Sequence, residues 1–323
     1  MGDPEVNLRA IEDASRRIAN VAYRTPLYHS PALSRLTGAK VYLKLESYQP
    51  IRVFKVRGAA NKILKLSQSA RSRGLVAASS GNHGVAVSYL AKLTGSKATI
   101  VVPTNAVAEK VKAIEEYGGT VIKHGLFHDE RYAKALEIQK ATGAVLIPPF
   151  DDPDIIAGQG TIGLEIHQDL PTANAVIVPI GGGGLISGIA TALKSLKPET
   201  KIFGVEPEKA SSMYLSIKCG KITQLSDTTS IADGLATREP GVLTFDCAKR
   251  YVDKIYLVSE EDIEKAVFTV MQECHLVIEP SAAAAIAALT EKPDLRKNSE
   301  IVVVVSGGNI SLKLLSRILS KYG

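Results

Sequence analysis

Over most of the chain, short runs rich in valine and isoleucine alternate with longer stretches in which apolar positions recur every third or fourth residue. GLVAAS precedes GNHGVAVSYLAKL, ATIVVP precedes AVAEKVKAIEEYG, TVIKH precedes DERYAKALEIQKATG, and AVLIPPF follows. Short β-branched runs read as strands and the longer spacing as helices. Each strand-helix period takes roughly 25 residues, the length of a βα unit in a parallel sheet. A second series contains AVIVPI, KIFGVEP, KIYLVS before EEDIEKAVFTVMQECHL, SAAAAIAALTEK, and EIVVVVSGGN before ISLKLLSRILSK. Within it IVVVV is apolar at every position, which fits a strand covered on both faces. The pattern therefore predicts an α/β protein of two lobes, each a largely parallel sheet flanked by helices. A compact small lobe is expected over residues 71–149 and a discontinuous large one over 1–70 plus 150–323. Ligands in open sheets of this kind sit at the carboxyl ends of strands.

Residues 175–193, AVIVPIGGGGLISGIATAL, carry no charge, but Pro179 and four glycines divide them into a strand, a turn and a helix rather than a membrane span. Composition then narrows the function. The chain has 323 residues, 45% hydrophobic and 22% charged, as an ordinary globular protein has. Its net charge of +6 is scattered, with few aromatics and no tryptophan to stack on bases, so nucleic acid is not an expected partner. The N-terminus is charged from its third residue and lacks a signal-peptide core, and three cysteines without metal spacing suit a reducing interior. No membrane partner and a cytoplasmic location are expected.

Three polar turns at predicted strand ends carry candidate chemistry. SSGNHG (79–84) precedes a helix and offers backbone N–H groups together with Ser79, Ser80, Gly81, Asn82 and His83, a set suited to a carboxylate. GGGG, Gly181, Gly182, Gly183 and Gly184, lies between a strand and a helix, where bare backbone can cradle a phosphate. A dinucleotide fold is the rival, with Glu206 as a ribose-binding acid, but Ile186 and Ser187 stand where the last glycine of that fingerprint belongs. The third turn is SGGN (306–309), which begins with Ser306. Upstream, Lys55 sits in QPIRVFKVRGAANKI between Arg52 and Arg57 and among Val53, Phe54 and Val56. Cationic neighbours and desolvation would both lower its pKa and make it a nucleophilic amine. An imine-forming lysine, a phosphate cradle, a carboxylate turn and a hydroxyl for a heterocycle are together what pyridoxal phosphate requires.

The segments LKLESYQPIRVFKVRGA, SSGNHGVAVSYLAK, FDDPDIIAGQGTIGLEI, PIGGGGLISGIA, IADGLA, IEPSAAAAIAAL and SGGNIS occur in this order. Through them the chain resembles the fold-type II pyridoxal-phosphate enzymes, whose architecture is that of the tryptophan synthase β subunit. Within that family it is similar to serine/threonine ammonia-lyases (dehydratases) and serine racemases. The resemblance implies that Lys55 carries the cofactor as an imine, that Phe54 packs on it, and that Asn82 bonds its 3-hydroxyl. It also implies that Gly181 to Gly184 hold the phosphate and that Ser306 meets the pyridine nitrogen. The turn from Ser79 to His83 would clamp the substrate carboxylate, Thr237 would lie near the substrate hydroxyl, and Lys55 would remove the α-proton. The expected reaction is α,β-elimination on L-threonine or L-serine to a 2-oxo acid and ammonia, in a homodimer or homotetramer.

Departures from the family bear on subtype. Ile51, Arg52 and Val53 replace the commoner TGS before Phe54 and Lys55. Glu206 and the Ala210 carbonyl match a divalent-cation site of the racemases, but Ser212 stands where its second acid would be, so a two-carboxylate site is lost. Ser80 matches the racemases' opposite-face proton donor, whereas Phe150 replaces an Asn common in them and favours dehydration; racemisation is the alternative activity. Glu279, in IEPSA, adjoins the expected cofactor end of the large lobe. His124, His128, His167 and His275 have no ligand spacing. Little sequence follows SGGN, so no appended regulatory domain is expected. A non-enzymatic small-molecule binder and a nicotinamide dehydrogenase are the rivals from other classes; the first would not need Lys55 beside Phe54, and the second would bind nicotinamide and lack the cofactor's colour.

Overall fold

A computed structural model describes residues 6–79, 81–106, 108–126, 128–292, 294–295 and 300–323. After the helix Leu8–Ile18 come β1 (Leu27–His29) and β2 (Lys40–Leu45), antiparallel to each other and joined through the helix Pro31–Thr37. Next come β3 (Leu75–Ala78), β4 (Ala98–Val102), β5 (Thr120–Lys123) and β6 (Val145–Leu146), which form a separate parallel sheet of order β5-β4-β3-β6. The chain then returns through β7 (Ala175–Pro179), β8 (Lys201–Pro207), β9 (Lys254–Val258) and β10 (Glu300–Val305). These join the β1–β2 pair in a sheet of order β1-β2-β10-β7-β8-β9, parallel apart from β1. The fold is thus α/β with two parallel sheets flanked by helices, as the alternation predicts.

Burial follows the composition of each element. In β10, Ile301 to Val305 are all buried, because the strand is paired on one edge with β2 and on the other with β7 and is covered on both faces. One of those covers is the helix Pro280–Glu291, in which every residue from Pro280 to Leu289 is buried. Its run of alanines explains how a helix can be enclosed all round: methyl side chains leave room for close neighbours and lose no rotamer entropy. The helix Pro153–Asp169 is likewise buried from Ile155 to Glu165, and its first turn is capped by Asp152, whose carboxylate accepts from the N–H groups of Asp154 and Ile155. No helix of the described residues is long and apolar enough to cross a membrane.

A cavity of about 770 Å³ opens at the carboxyl ends of both sheets. It is lined by residues just past β3 (Ser79, Gly81), β6 (Pro149, Phe150) and β7 (Gly182), together with Lys55. The parallel topology accounts for this: all these strands point the same way within their sheets, so their outgoing turns gather at one end.

Candidate active site

Lys55 is the first residue of the helix Lys55–Lys65, and the segment before it is stitched to the turn after β10. The Phe54 N–H donates to the Ser306 carbonyl at 3.0 Å, and the Gly308 N–H donates to the Arg52 carbonyl at 2.9 Å. Val53 and Gly307 pair as an isolated antiparallel bridge. Between these ties Arg52 is held at φ 59°, a left-handed conformation that costs a non-glycine residue about 1–2 kcal/mol. The lysine is positioned by backbone hydrogen bonds on both sides of a strained residue.

The Lys55 amine donates to the Pro149 carbonyl at 2.7 Å and lies 5.1 Å from the centre of the Phe54 ring. What exposed area it has faces the cavity. Burial pulls its pKa down to about 8, opposed by the charge of Glu279. The cationic neighbours suggested by the sequence are not the cause. Arg52 is exposed, and Arg57 turns away into a buried cluster of balanced charge. There its guanidinium meets Glu46 at 2.8 Å and Glu165 at 2.6 Å, while the fully buried Lys44 bonds Glu165 at 2.6 Å and the Thr25 carbonyl at 2.7 Å. Two cations and two carboxylates cancel, and the cluster anchors the Lys55 helix to the end of β2 and to the helix Pro153–Asp169.

The glycine turn follows β7. Gly183 lies at φ 92° and caps the helix Gly184–Leu196 without a side-chain hydrogen bond, so the N–H groups of its first turn have no side-chain acceptor. A Cβ at Gly182 would lie 2.4 Å from the Phe150 ring, so only bare backbone fits there. The Gly182 carbonyl is fixed by the Thr244 hydroxyl at 2.7 Å. Asp151, beside Phe150, accepts from the N–H groups of Val242 and Leu243 at 3.0 Å and so caps the helix Val242–Tyr251 from outside. Gly182 lines the cavity; Gly181, Gly183, Gly184 and Phe54 are not among its lining residues. Thr237 does line it, and its hydroxyl comes within 3.3 Å of where a Gly181 Cβ would be.

In the turn after β3, the Ser79 hydroxyl accepts from the N–H groups of Gly81 at 3.1 Å and Gly84 at 2.9 Å, which occupies it in shaping the turn. Ser80 lies outside the described residues. His83 is buried with Nε2 donating to the Ile147 carbonyl at 2.8 Å, which places the ring proton on that nitrogen. Asn82 donates through Nδ2 to both carboxylate oxygens of Glu279 at 3.0 Å and accepts at Oδ1 from Asn309 at 2.9 Å. Burial raises the Glu279 pKa to about 7. Ser306 is buried and gives its backbone carbonyl to Phe54, but it does not line the cavity.

Glu206 and Ala210 are both buried. The Glu206 carboxylate accepts from the N–H groups of Met213 at 2.9 Å and Tyr214 at 2.8 Å, capping the helix Ser212–Cys219, and burial pushes its pKa to about 8. Among the described residues no group of three or more His, Cys, Asp and Glu side chains is gathered for a metal.

The cavity wall also carries charged residues that the sequence reading does not single out, among them Lys110, Asp233 and Arg131. Lys110, beside Gly81, pairs with Asp233 of the IADG segment. Arg131 is buried, with its Nε lacking a partner and its side chain on the cavity wall. Lys110 and Arg131 lie on helices whose local sequences read as solvated faces, and only the long-range packing turns them inward.

The residues fit pyridoxal phosphate: a buried amine of lowered pKa and, at Gly182, a position that a Cβ would fill share one cavity, and Gly182 leads directly into an uncapped helix start. The chain is similar over 316 residues, at 45% identity, to the L-threonine ammonia-lyase of Thermotoga maritima, covering 98% of this chain and 79% of that protein. It is 40% identical to the catabolic L-threonine dehydratase of Escherichia coli, covering 98% and 97% of the two chains. The solved structure of maize serine racemase superposes with a TM-score of 0.93 at 37% identity, over 98% of each chain. The pattern of the family described as pyridoxal-phosphate dependent enzyme matches residues 18–307, and the chain belongs to that family.

Proposed function

We propose that this protein deaminates L-threonine, L-serine or both by α,β-elimination, giving 2-oxobutanoate or pyruvate and ammonia. The single observation that carries this reading is the Lys55 amine, directed into the cavity beside the glycine turn with its pKa lowered to about 8. Similarity to threonine ammonia-lyases over nearly the whole chain supports the substrate class. The working unit is a cytoplasmic homodimer or homotetramer, with residues 71–149 as a small, mobile substrate lobe and the rest as a large cofactor lobe.

Pyridoxal phosphate, when bound, supplies the electron sink that makes an amino acid's α-proton acidic and its β-hydroxyl expellable. Lys55 would hold the cofactor, with the N–H groups of Gly181 to Gly184 at its phosphate, Phe54 against it, and Asn82 and Ser306 at its ring substituents. Lys55 then acts as general base, and an amine with a pKa near working pH both accepts and returns a proton efficiently. The N–H groups at Gly81, Asn82 and His83 hold the substrate carboxylate at the start of the helix Asn82–Leu93. Thr237 sits on the cavity wall as a partner for the β-hydroxyl. Phe150 keeps water from the reacting carbon.

Racemisation of serine is the second reading, favoured by the superposition on maize serine racemase. Proton NMR of L-serine and L-threonine in D2O with the loaded enzyme separates the two. Oxo acid formed as fast as substrate disappears is the expected result; loss of the α-proton while serine persists would replace it with the racemase. The Lys55→Ala protein should lose the yellow colour of bound cofactor and at least about a hundredfold in rate.

A further inference from the structure

Four separate pieces of the chain meet in one line of hydrogen bonds. The Ile51 carbonyl, in the lysine loop, accepts from Asn309 Nδ2 at 3.1 Å, which fixes which end of the Asn309 amide is the donor. The same Nδ2 donates to Asn82 Oδ1 at 2.9 Å, and that in turn directs Asn82 Nδ2 to both oxygens of Glu279 at 3.0 Å. A carboxylate only accepts, so both ends of the line specify one orientation of the Asn82 amide. Asn82 opens the helix Asn82–Leu93 beside the small sheet; Glu279 caps the helix Pro280–Glu291 against the large one. The Glu279 backbone N–H is tied to the Gly307 carbonyl at 3.1 Å, and a Cβ on Gly307 would come within 2.3 Å of its carboxylate. The acid is thus clamped from behind, is only 4% exposed, and has amides rather than a cation as its bonded partners.

We propose that Glu279 is a positioning residue: its carboxylate holds the Asn82 amide at the cavity wall in one orientation and joins the small sheet's carboxylate turn to the large sheet's cofactor end. Sharing one Nδ2 hydrogen between two carboxylate oxygens leaves the second for the cavity that Asn82 lines. The proposal rests on the reading of the cavity as a pyridoxal-phosphate site. It also makes the join responsive to pH. The charged groups around Glu279 are Lys55, on the lysine loop, and Lys110 with Asp233, across the cavity mouth. Burial keeps its pKa near 7, so below that pH the acid carries a proton on one oxygen and Asn82 Nδ2 keeps one acceptor there instead of two, which loosens the join from the Glu279 side.

The test compares the loaded wild-type enzyme with Glu279→Gln and Glu279→Leu. Glutamine keeps an acceptor and loses the titration; leucine removes both. The expected result is kcat for Glu279→Leu roughly 10-fold to 100-fold lower with a smaller change in KM, and a shifted visible absorbance of the bound cofactor. Glu279→Gln, the neutral counterpart of the protonated acid, should hold kcat near the low-pH wild-type value, above that of Glu279→Leu, with no further fall below pH about 7. Melting temperature is followed in parallel, and Asn309→Ala, which removes the other end of the line, should move the cofactor absorbance in the same direction by less. Wild-type kcat, pH profile and cofactor spectrum in Glu279→Leu, or in Asn309→Ala should the leucine variant not fold, would overturn the proposal. An inert wild-type enzyme on L-threonine and L-serine would instead sink the assigned reaction, and the cofactor spectra would still decide the role of Glu279.

Discussion

Lys55 and Pro149 are 94 positions apart in sequence, yet the lysine amine donates to the proline carbonyl at 2.7 Å. The acceptor is neutral, and among the described residues no carboxylate pairs directly with that amine. Its proton is therefore held by a hydrogen bond and by Coulomb attraction from Glu279 alone, against the full cost of burial. The chemistry expected of this lysine and its lowered pKa have the same physical origin.

That origin sets how the emptied protein takes up its cofactor. Only the neutral amine attacks an aldehyde, so with a pKa of about 8 the second-order rate of pyridoxal phosphate uptake should rise about tenfold from pH 7 to pH 9. Stopped-flow absorbance across that range measures it; a rate still climbing in proportion to hydroxide above pH 9 would show an unperturbed lysine.

The glycine turn makes a steric prediction. In Gly182→Ala the new methyl meets the Phe150 ring at 2.4 Å, so ring or turn must move at about 1–3 kcal/mol, with weakened cofactor affinity. Urea unfolding and cofactor titration would both register it, and adding Phe150→Ala should recover part of the stability. An unchanged unfolding midpoint in the single variant would rule out the crowding.

Arg57 carries the charge balance beneath the site. Arg57→Met leaves Glu46 and Glu165 with only Lys44 to offset them and should destabilise the protein by about 3–5 kcal/mol. Denaturant melts provide the number. A loss below 1 kcal/mol would mean that the carboxylates find other partners.

Glu206 predicts a slope of stability with pH. Its carboxyl binds a proton more tightly folded, at about 8, than at its ordinary value of 4.5. Between those limits the folded state holds more protons than the unfolded one, so this group makes stability fall as pH rises from about 4.5 to 8. In Glu206→Gln that part of the fall disappears, and melting temperatures of the two proteins should converge toward low pH or cross on raising it. Parallel profiles would show that the buried acid titrates normally.

Much of this is legible in the sequence. Strand-helix alternation is a local signal, so both sheets and the clustering of turns at their carboxyl ends could be read directly from it. Lys55, Asn82, Gly182 and Thr237 were found as motifs and do line one cavity. What failed to show were relationships that depend on which surfaces meet. Arg57 looked like a cation acting on Lys55, because nothing near it in sequence shows that Glu46 and Glu165 neutralise it. Glu206 matches only part of a ribose or metal site in sequence, and in the fold its carboxylate caps the helix Ser212–Cys219. Ser79 looked like a substrate ligand, and its hydroxyl is taken up within its own turn. In each case a polar group found a backbone or buried partner that periodicity cannot encode.

The position of β10 between β2 and β7 has a consequence for how the molecule is made. On the ribosome, the small sheet can form as soon as residue 146 has emerged, since all four of its strands are then available. The β1–β2 pair cannot join the rest of its sheet until β10 arrives some two hundred and fifty residues later, and the same arrival brings the turn that pins Phe54 and Lys55. Lys55 is therefore translated early and placed last, so a nascent chain presents no finished cavity around it before its final strand has been threaded into the middle of the sheet.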